Sequence, residues 1–344
     1  MVHVTSNPPD PNLFLRRLRP QREELEATLL APAATRSALT MGRMVEEEPD
    51  EYRTAFERDR DRIIHTKAFR RLKHKTQVFI NPEGDHFVTR LTHTLQVTQI
   101  GRAMATALGL NEDLTEAICL GHDVGHSPFG HTGEEALTPY VEGEWLHAAH
   151  SVRVLSLLEP QNLTYEVLDG IRAHSWRVTP PPSTPEGYLC RFADRIAYLT
   201  HDVGDAVRAG ILKISELPPD PVRRFGATSR EWINQMIRAV VDNTITSNRV
   251  SMDEETMAVM NELREFMFDR VYLRPESQIQ KERAIMVIRS LIDYFIHHPT
   301  EVPESTTTFE ADPISAAIDY VAGMTDRYAL QTHDSFFRPR LFDL

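Results

Sequence analysis

The stretch that decides the fold is Gly121-His122-Asp123-Val124-Gly125-His126-Ser127-Pro128-Phe129-Gly130-His131-Thr132-Gly133-Glu134. Three histidines and two carboxylates fall within these fourteen residues. A packed core rarely gathers so many titratable groups, because each buried one needs a partner. Together with His93 upstream and Asp194 downstream, His122-Asp123 supplies two imidazoles and two carboxylates. Those donors suit a hard-to-borderline divalent cation such as Mn, Fe, Mg or Ni. A His, then a His-Asp doublet ending a later helix, then an Asp on a third helix would bring four ligands to one bundle axis. Alone, His93 reads more readily as an ordinary satisfied histidine. The doublet changes that reading, as does the crowding of eleven of the fifteen histidines between His65 and His201.

Outward from this stretch the chain reads as helices joined by short loops. Leu91, Leu95, Ile100, Met104 and Leu108 follow helical spacing up to Gly109. Asn111 is placed to cap the next helix, whose face carries Leu114, Ala117, Ile118 and Gly121 and whose end carries His122-Asp123. Gly125, Pro128, Gly130 and Gly133 then break the chain into a loop. The sequence Thr132-Gly133-Glu134-Glu135 predicts a capping box opening the following helix. Further helices are expected over 162–173, 188–209, 232–241, 257–270, 281–296 and 313–330, with Pro180-Pro181-Pro182 in an exposed loop. A short hairpin is expected between residues 77–80 and 85–88. Residues 1 to about 51 read as an irregular extension interrupted by prolines, 52–212 as the helical core that carries the candidate ligands and 213–344 as a helical region packed on it. The expected class is all-α.

At 344 residues the chain can bury a large core. No apolar run is long enough for a membrane span, and the first residues lack a secretion-signal profile. Two cysteines, Cys119 and Cys190, make no disulfide framework and no CxxC pair, so the cytoplasm is the expected compartment. The net charge of −12 disfavours broad nonspecific binding to nucleic acid. Arg58 to Arg62 read as a solvated face paired within the helix with Glu57, Asp59 and Asp61. Lys67 to Lys75 holds six basic residues, His74 counted, and no acidic one, a candidate contact for polyphosphate or a nucleic-acid backbone.

His93, His122-Asp123 and Asp194 resemble the four metal ligands of the HD-domain phosphohydrolases. The flanking sequence narrows the resemblance to the dNTP triphosphohydrolases, the bacterial dGTPase-like group. It is carried by Asp61-Arg62-Ile63-Ile64-His65, residues 69–78, Thr89 to Leu95, the quoted stretch, Ala193 to Tyr198 with His201-Asp202, and Ala322 to Ala329. It spans about residues 52–335. The resemblance implies an all-helical HD bundle with additional C-terminal helices, bound to a divalent metal ion. It implies hydrolysis of dNTPs between the α-phosphorus and the 5′ oxygen, giving deoxynucleoside and intact tripolyphosphate. The 5′ alkoxide is a poor leaving group, so a general acid should contribute greatly.

By the same resemblance His131 is the proton donor or assists the nucleophile, and Glu134 orients it. Glu134 would also serve as a first-turn carboxylate at a helix N-terminus. His126 falls at a position that contacts phosphates, and His147 at a further active-site histidine. Here the chain departs from the group, with Ala148 where Asn is usual and His150 where Gln is usual. Arg90 and Arg195 would reach phosphates, for which an Arg fork suits the geometry. Tyr198 and Asp202 follow Asp194 at four and eight residues and so share its helix face. The family places this Tyr under the deoxyribose, excluding a 2′ hydroxyl, and this Asp at the 3′ hydroxyl; Gln77 and Val78 line the same sugar. Family members form homo-oligomers, often hexamers, and some respond to a dNTP at a second site or to single-stranded DNA. Two other readings stand beside this one: another HD phosphohydrolase acting on a nucleotide, cyclic dinucleotide or alarmone, and a non-catalytic nucleotide-sensing or nucleic-acid-binding assembly. The complete ligand set disfavours the last, and the absence of GxxxxGK[ST] excludes P-loop chemistry.

Overall fold

Our computed structural model describes residues 14–80, 84–304 and 312–339. Among these residues every regular element is helical, and β pairing is limited to two isolated bridges, Arg43 with Thr164 and Thr76 with Thr89. The helices are α1 (Arg19–Leu29), α2 (Ala55–Ile64), α3 (Lys67–Arg71), α4 (Arg90–Leu108), α5 (Glu112–Gly121), α6 (His131–Leu137), α7 (His147–Arg153) and α8 (Tyr165–Ala173). They continue as α9 (Pro185–Arg208), α10 (Pro219–Phe225), α11 (Ser229–Ser247), α12 (Glu254–Met267), α13 (Pro275–His297), α14 (Pro313–Ala322) and α15 (Asp326–Phe337).

The bundle forms around α4, α5 and α9. Val97, Ile100 and Met104 of α4 meet Leu114 and Ile118 of α5 and Leu189, Phe192 and Ile196 of α9 in one buried cluster. Phe56 and Ile63 of α2 and Val167 and Ile171 of α8 extend it, as do Trp232 and Met236 of α11 and Met260 and Leu263 of α12. A second cluster joins Phe129, Ala136, Leu137 and Trp145 to Ile288, Leu291 and Phe295 of α13 and Val321 of α14. The loop carrying the histidines therefore lies between two apolar clusters.

Local signals set many helix ends where expected. Gly109 closes α4 in the left-handed conformation at φ 65°. Asn111 caps α5 by accepting from Leu114 N at 3.1 Å. Other expectations are corrected. Residues 19–29 of the expected irregular extension are helical, with Pro20 in the first turn, where no N–H is needed. The hairpin is absent among the described residues. Val88 N donates to the Asp205 carboxylate rather than across a ladder, and the pairing stops at the single bridge between Thr76 and Thr89. The span 313–330 is two helices, broken at Gly323-Met324, with Thr325 capping the second.

The capping box at Thr132 does not form. Helix α6 starts at His131 with Gly130 as its N-cap and no side-chain cap, so Thr132 falls inside the first turn, and Glu135, its expected partner, pairs with Lys281 instead. Gly130 has φ 61°, and a Cβ there would lie 2.7 Å from Arg90 Nη2. Gly125 passes so close to α7 that a Cβ would lie 2.2 Å from Ser151 N. Both glycines let this loop press against its neighbours.

The charge pairs of α2 are mostly tertiary rather than intrahelical. Asp59 pairs with Arg43, Glu57 with Arg22, Arg60 with Asp113 and Arg62 with Glu47. Lys75 is buried, not presented to solvent, and donates to the carbonyls of His126 and Ala322. Burial pushes its ammonium down to about 7. Arg71 donates to Gly323 O at 3.0 Å. Asp326 at the start of α15 accepts from Thr76 N and from Phe129 N, each at 2.9 Å, tying α15 to both sides of the loop.

Candidate active site and metal centre

His93 lies one turn into α4, His122 ends α5, Asp123 follows it, and Asp194 lies midway along α9. The ligand atoms of His93, His122 and Asp123 lie within 4.8 Å of one another. Asp194 Oδ1 joins them at 3.1 Å from His93 Nε2 and 4.0 Å from His122 Nε2. His122 Nδ1 donates to Cys119 O at 2.6 Å, which leaves Nε2 with its lone pair, buried and without a hydrogen-bond partner. An orphaned buried acceptor aimed at two carboxylates is what a cation site requires. His93 Nδ1 contacts His201 Nε2 at 2.8 Å, so its Nε2 also faces the cluster.

The protonation states match. Burial alone would raise the Asp123 carboxyl, but Arg90, His122 and His126 hold it well below the usual range. Asp194 is likewise lowered against its burial by His93 and His122. Burial keeps His93 below the ordinary imidazole value. The donors are thus anionic oxygens and an imidazole biased toward its neutral form, the forms that bind a divalent ion. Arg90 Nη1 donates to Asp123 Oδ2 at 2.8 Å, leaving Oδ1 for the cluster.

A second group, His126, His131, Glu134 and His147, adjoins the first. Glu134 is its hub. It accepts from His131 Nδ1 at 2.9 Å, from His147 Nδ1 at 2.5 Å and from His147 N at 2.8 Å. Burial would raise Glu134, yet His147 and His131 hold it well below the usual carboxylate range. Burial would lower His147, and Glu134 raises it above the ordinary imidazole value instead. His126 is fully buried and stacks on His147 with centroids 4.3 Å apart; neither of its ring nitrogens has a partner. The His131 side chain, by contrast, is 79% exposed and stands at the rim.

Both groups open into one cleft of about 590 Å³. Gln77, Val78, Arg90, Arg195, Tyr198 and Asp202 all line it. Arg195 lies over the Trp176 ring at 4.4 Å. His150 lies outside the cleft and ties the loop to α14, with Nδ1 donating to Gly125 O at 2.7 Å and Nε2 3.5 Å from Asp319 Oδ1. Several lining residues escaped the sequence reading. Tyr272 donates to Asp202 Oδ2 at 2.5 Å, and Arg264 and Lys281 line the same cleft. Tyr272 sits in a π turn over Phe268–Tyr272, which helical periodicity does not announce. His174 is buried beside His147 and His122. Its signal was only its place among the crowded histidines.

Fold and site define an HD-domain protein. Residues 90–199 match the HD domain, and residues 250–335 match the phosphohydrolase-associated domain. A deoxyguanosinetriphosphate triphosphohydrolase-like protein of Caldanaerobacter subterraneus subsp. tengcongensis is 46% identical over 340 residues, covering 95% of this chain and all of that one (100%). One of the same description from Clostridium perfringens is 43% identical, covering 94% of this chain and 98% of the relative. A solved structure of a hypothetical protein from Aquifex aeolicus is 21% identical with a TM-score of 0.48, over 83% of this chain and 69% of that one. The chain belongs to the deoxyguanosinetriphosphate triphosphohydrolase-like family of HD-domain phosphohydrolases. Among the described residues no helix is long and apolar enough to cross a membrane.

Proposed function

We propose that the chain hydrolyses dNTPs, dGTP or several of them, to deoxynucleoside and tripolyphosphate, using a divalent ion held by His93, His122, Asp123 and Asp194. The observation that carries this reading is that one cleft gathers two kinds of lining residue. It brings together Arg90, His93, Asp123, His126 and His147, which suit a metal-bound triphosphate, and Tyr198, Asp202 and Tyr272, which suit a sugar. When bound, the divalent ion, whether Mn, Mg, Fe or Ni, supplies Lewis acidity and neutralises charge at the α-phosphate.

The chain's own residues do the rest. Arg90, Arg195 and His126 bind the triphosphate, and His147 acts beside them as a further active-site histidine held by Glu134. Tyr198 packs under the sugar and excludes a 2′ hydroxyl, with Gln77 and Val78 beside it, and Asp202 accepts from the 3′ hydroxyl. His131 delivers a proton to the departing 5′ oxygen. Its Nδ1 is bonded to Glu134, so the donated proton leaves from Nε2. The exposed position of His131 at the cleft suits a group that must meet a substrate arriving from solvent.

The test is a product assay. Metal-stripped protein reloaded with Mn or Mg is incubated with each dNTP and with GTP, singly and mixed. Deoxynucleoside plus tripolyphosphate from dNTPs alone is expected. Monophosphate products overturn the reading in favour of another HD phosphohydrolase, and no turnover with metal bound overturns it in favour of a sensor. Mixtures report whether one dNTP activates cleavage of another, and added single-stranded DNA tests the second effector that the family suggests. Sizing the same samples tests the expected homo-oligomer.

A further inference from the structure

One side chain, His201 of α9, joins the candidate metal cluster to Asp202. It follows Asp194 by seven residues, two turns on along the same helix face. Its ring is 7% exposed and touches both ends. Nε2 lies 2.8 Å from His93 Nδ1, and Nδ1 lies 2.7 Å from Asp202 Oδ1. The second oxygen of Asp202 accepts from the Tyr272 hydroxyl at 2.5 Å. Burial and the Asp202 charge hold that phenol well above its ordinary value, so it keeps the proton it donates. The carboxylate settles where the ring protons sit. A lone pair 2.7 Å from a carboxylate oxygen would be repelled, so His201 carries its proton on Nδ1. Neither of these two atoms makes an aligned hydrogen bond among the described residues, so the attraction is that of a charge for an N–H dipole. In the neutral ring Nε2 is then the acceptor, and His93 Nδ1 donates to it. The remaining nitrogen of a neutral His93, Nε2, holds a lone pair and faces Asp194. Asp202 thus fixes, through two rings, the form in which His93 is offered to a cation.

We propose that His201 is a positioning residue that holds His93 in the tautomer and orientation that bind the divalent ion, and that ties this ligand to Asp202. At metal sites a carboxylate commonly holds the second nitrogen of a ligand histidine directly. Here an imidazole is interposed, and the carboxylate belongs instead to a residue lining the cleft. Asp202 is also the group assigned above to the 3′ hydroxyl, so His201 makes the sugar contact and the metal contact parts of one chain. The inference rests on the metal assignment above; only its consequence for the sugar rests on the dNTP reading. The competing arrangement is the reversed chain, with His201 donating to His93 Nδ1 and the His93 proton on Nε2, where it would oppose a cation.

Mn²⁺ binding to metal-stripped full-length protein, without nucleotide, separates the two. Equilibrium dialysis gives the dissociation constant of the tightest site in the unaltered chain, His201→Leu, Asp202→Asn and the double variant; circular dichroism checks that each is folded. His201→Leu should weaken Mn²⁺ by roughly 10–100-fold, the scale of a lost outer partner of a metal-bound histidine. Asp202→Asn should weaken it as well, although Asp202 is no ligand, and should add nothing in the His201→Leu background. His201→Gln, whose amide oxygen can still accept from His93, should recover most of the affinity. Where His201→Leu is not folded, the same cycle is closed with His201→Gln. Unchanged or tighter binding in His201→Leu overturns the proposal and leaves the four ligands standing. Equal losses from Asp202→Asn with and without His201 also overturn it, because the carboxylate would then act on the ion by its charge alone. An unaltered protein that binds no Mn²⁺ removes the metal assignment itself, and the inference with it.

Discussion

The inner end of the cleft and its outer wall hold their side chains differently. At the inner end, His93, His122 and Asp123 are buried, and each has one polar atom fixed by His201, a backbone carbonyl or Arg90. Along the outer wall, Arg274 and Lys281 make partly exposed pairs with Glu276 and Glu135, and Tyr272 reaching Asp202 is the buried anchor. Charges buried at the inner end interact strongly and are costly to leave unpaired, whereas exposed pairs are screened and contribute little. The difference separates a tightly held candidate metal cluster from loosely held pairs around it.

Three substitutions probe that contrast. Asp123→Ala has the largest expected effect. It removes one of the four proposed metal ligands and strands the buried Arg90 guanidinium, so metal content and turnover should be lost together. Breaking one side of a buried pair should also cost about 3–5 kcal/mol of stability, read by thermal or chemical denaturation. Full metal content in this variant would contradict the ligand assignment. His131→Ala comes next, at the exposed rim. Turnover should fall by roughly 10²–10⁴, the scale of a missing general acid, with metal content and dNTP binding retained. Near-normal turnover would remove His131 from the proposed role. Lys281→Ala has the smallest effect, because its pair with Glu135 at 2.6 Å is on the outer wall. Stability should change by no more than about 1 kcal/mol. A larger loss in urea titration would mean that the wall is as tightly built as the inner end.

The same contrast explains what the sequence disclosed. Helices α4, α5 and α9 were legible because their apolar spacing and caps are local, Gly109 and Asn111 above all. His93, His122, Asp123 and Asp194 stood out because the residue types are scarce in cores and one short doublet ties them together. Tyr272, Arg264 and His174 did not stand out. Each is an ordinary residue in its own window and becomes significant only when α9, α12 and α8 converge. The hairpin and the capping box failed because distant groups decided both places: Val88 N goes to the Asp205 carboxylate, and Glu135 pairs with Lys281 while α6 starts before Thr132.

The attachment of Asp326 also bears on how this catalytic unit can be inherited or engineered. Its two oxygens hold Thr76 and Phe129, while Lys75 bridges His126 O to Ala322 O and Arg153 grips Asp319 at 2.7 Å. The residues that shape the histidine loop are thus stitched to a segment some 200 positions later in the chain; Phe129 and Asp326, for one, are 197 apart. A minimal version trimmed to the histidine-bearing helices would keep every ligand and lose the stitches. This architecture can be shuffled only as a whole, and recombination or design that separates its two ends would break the loop before it touched the chemistry.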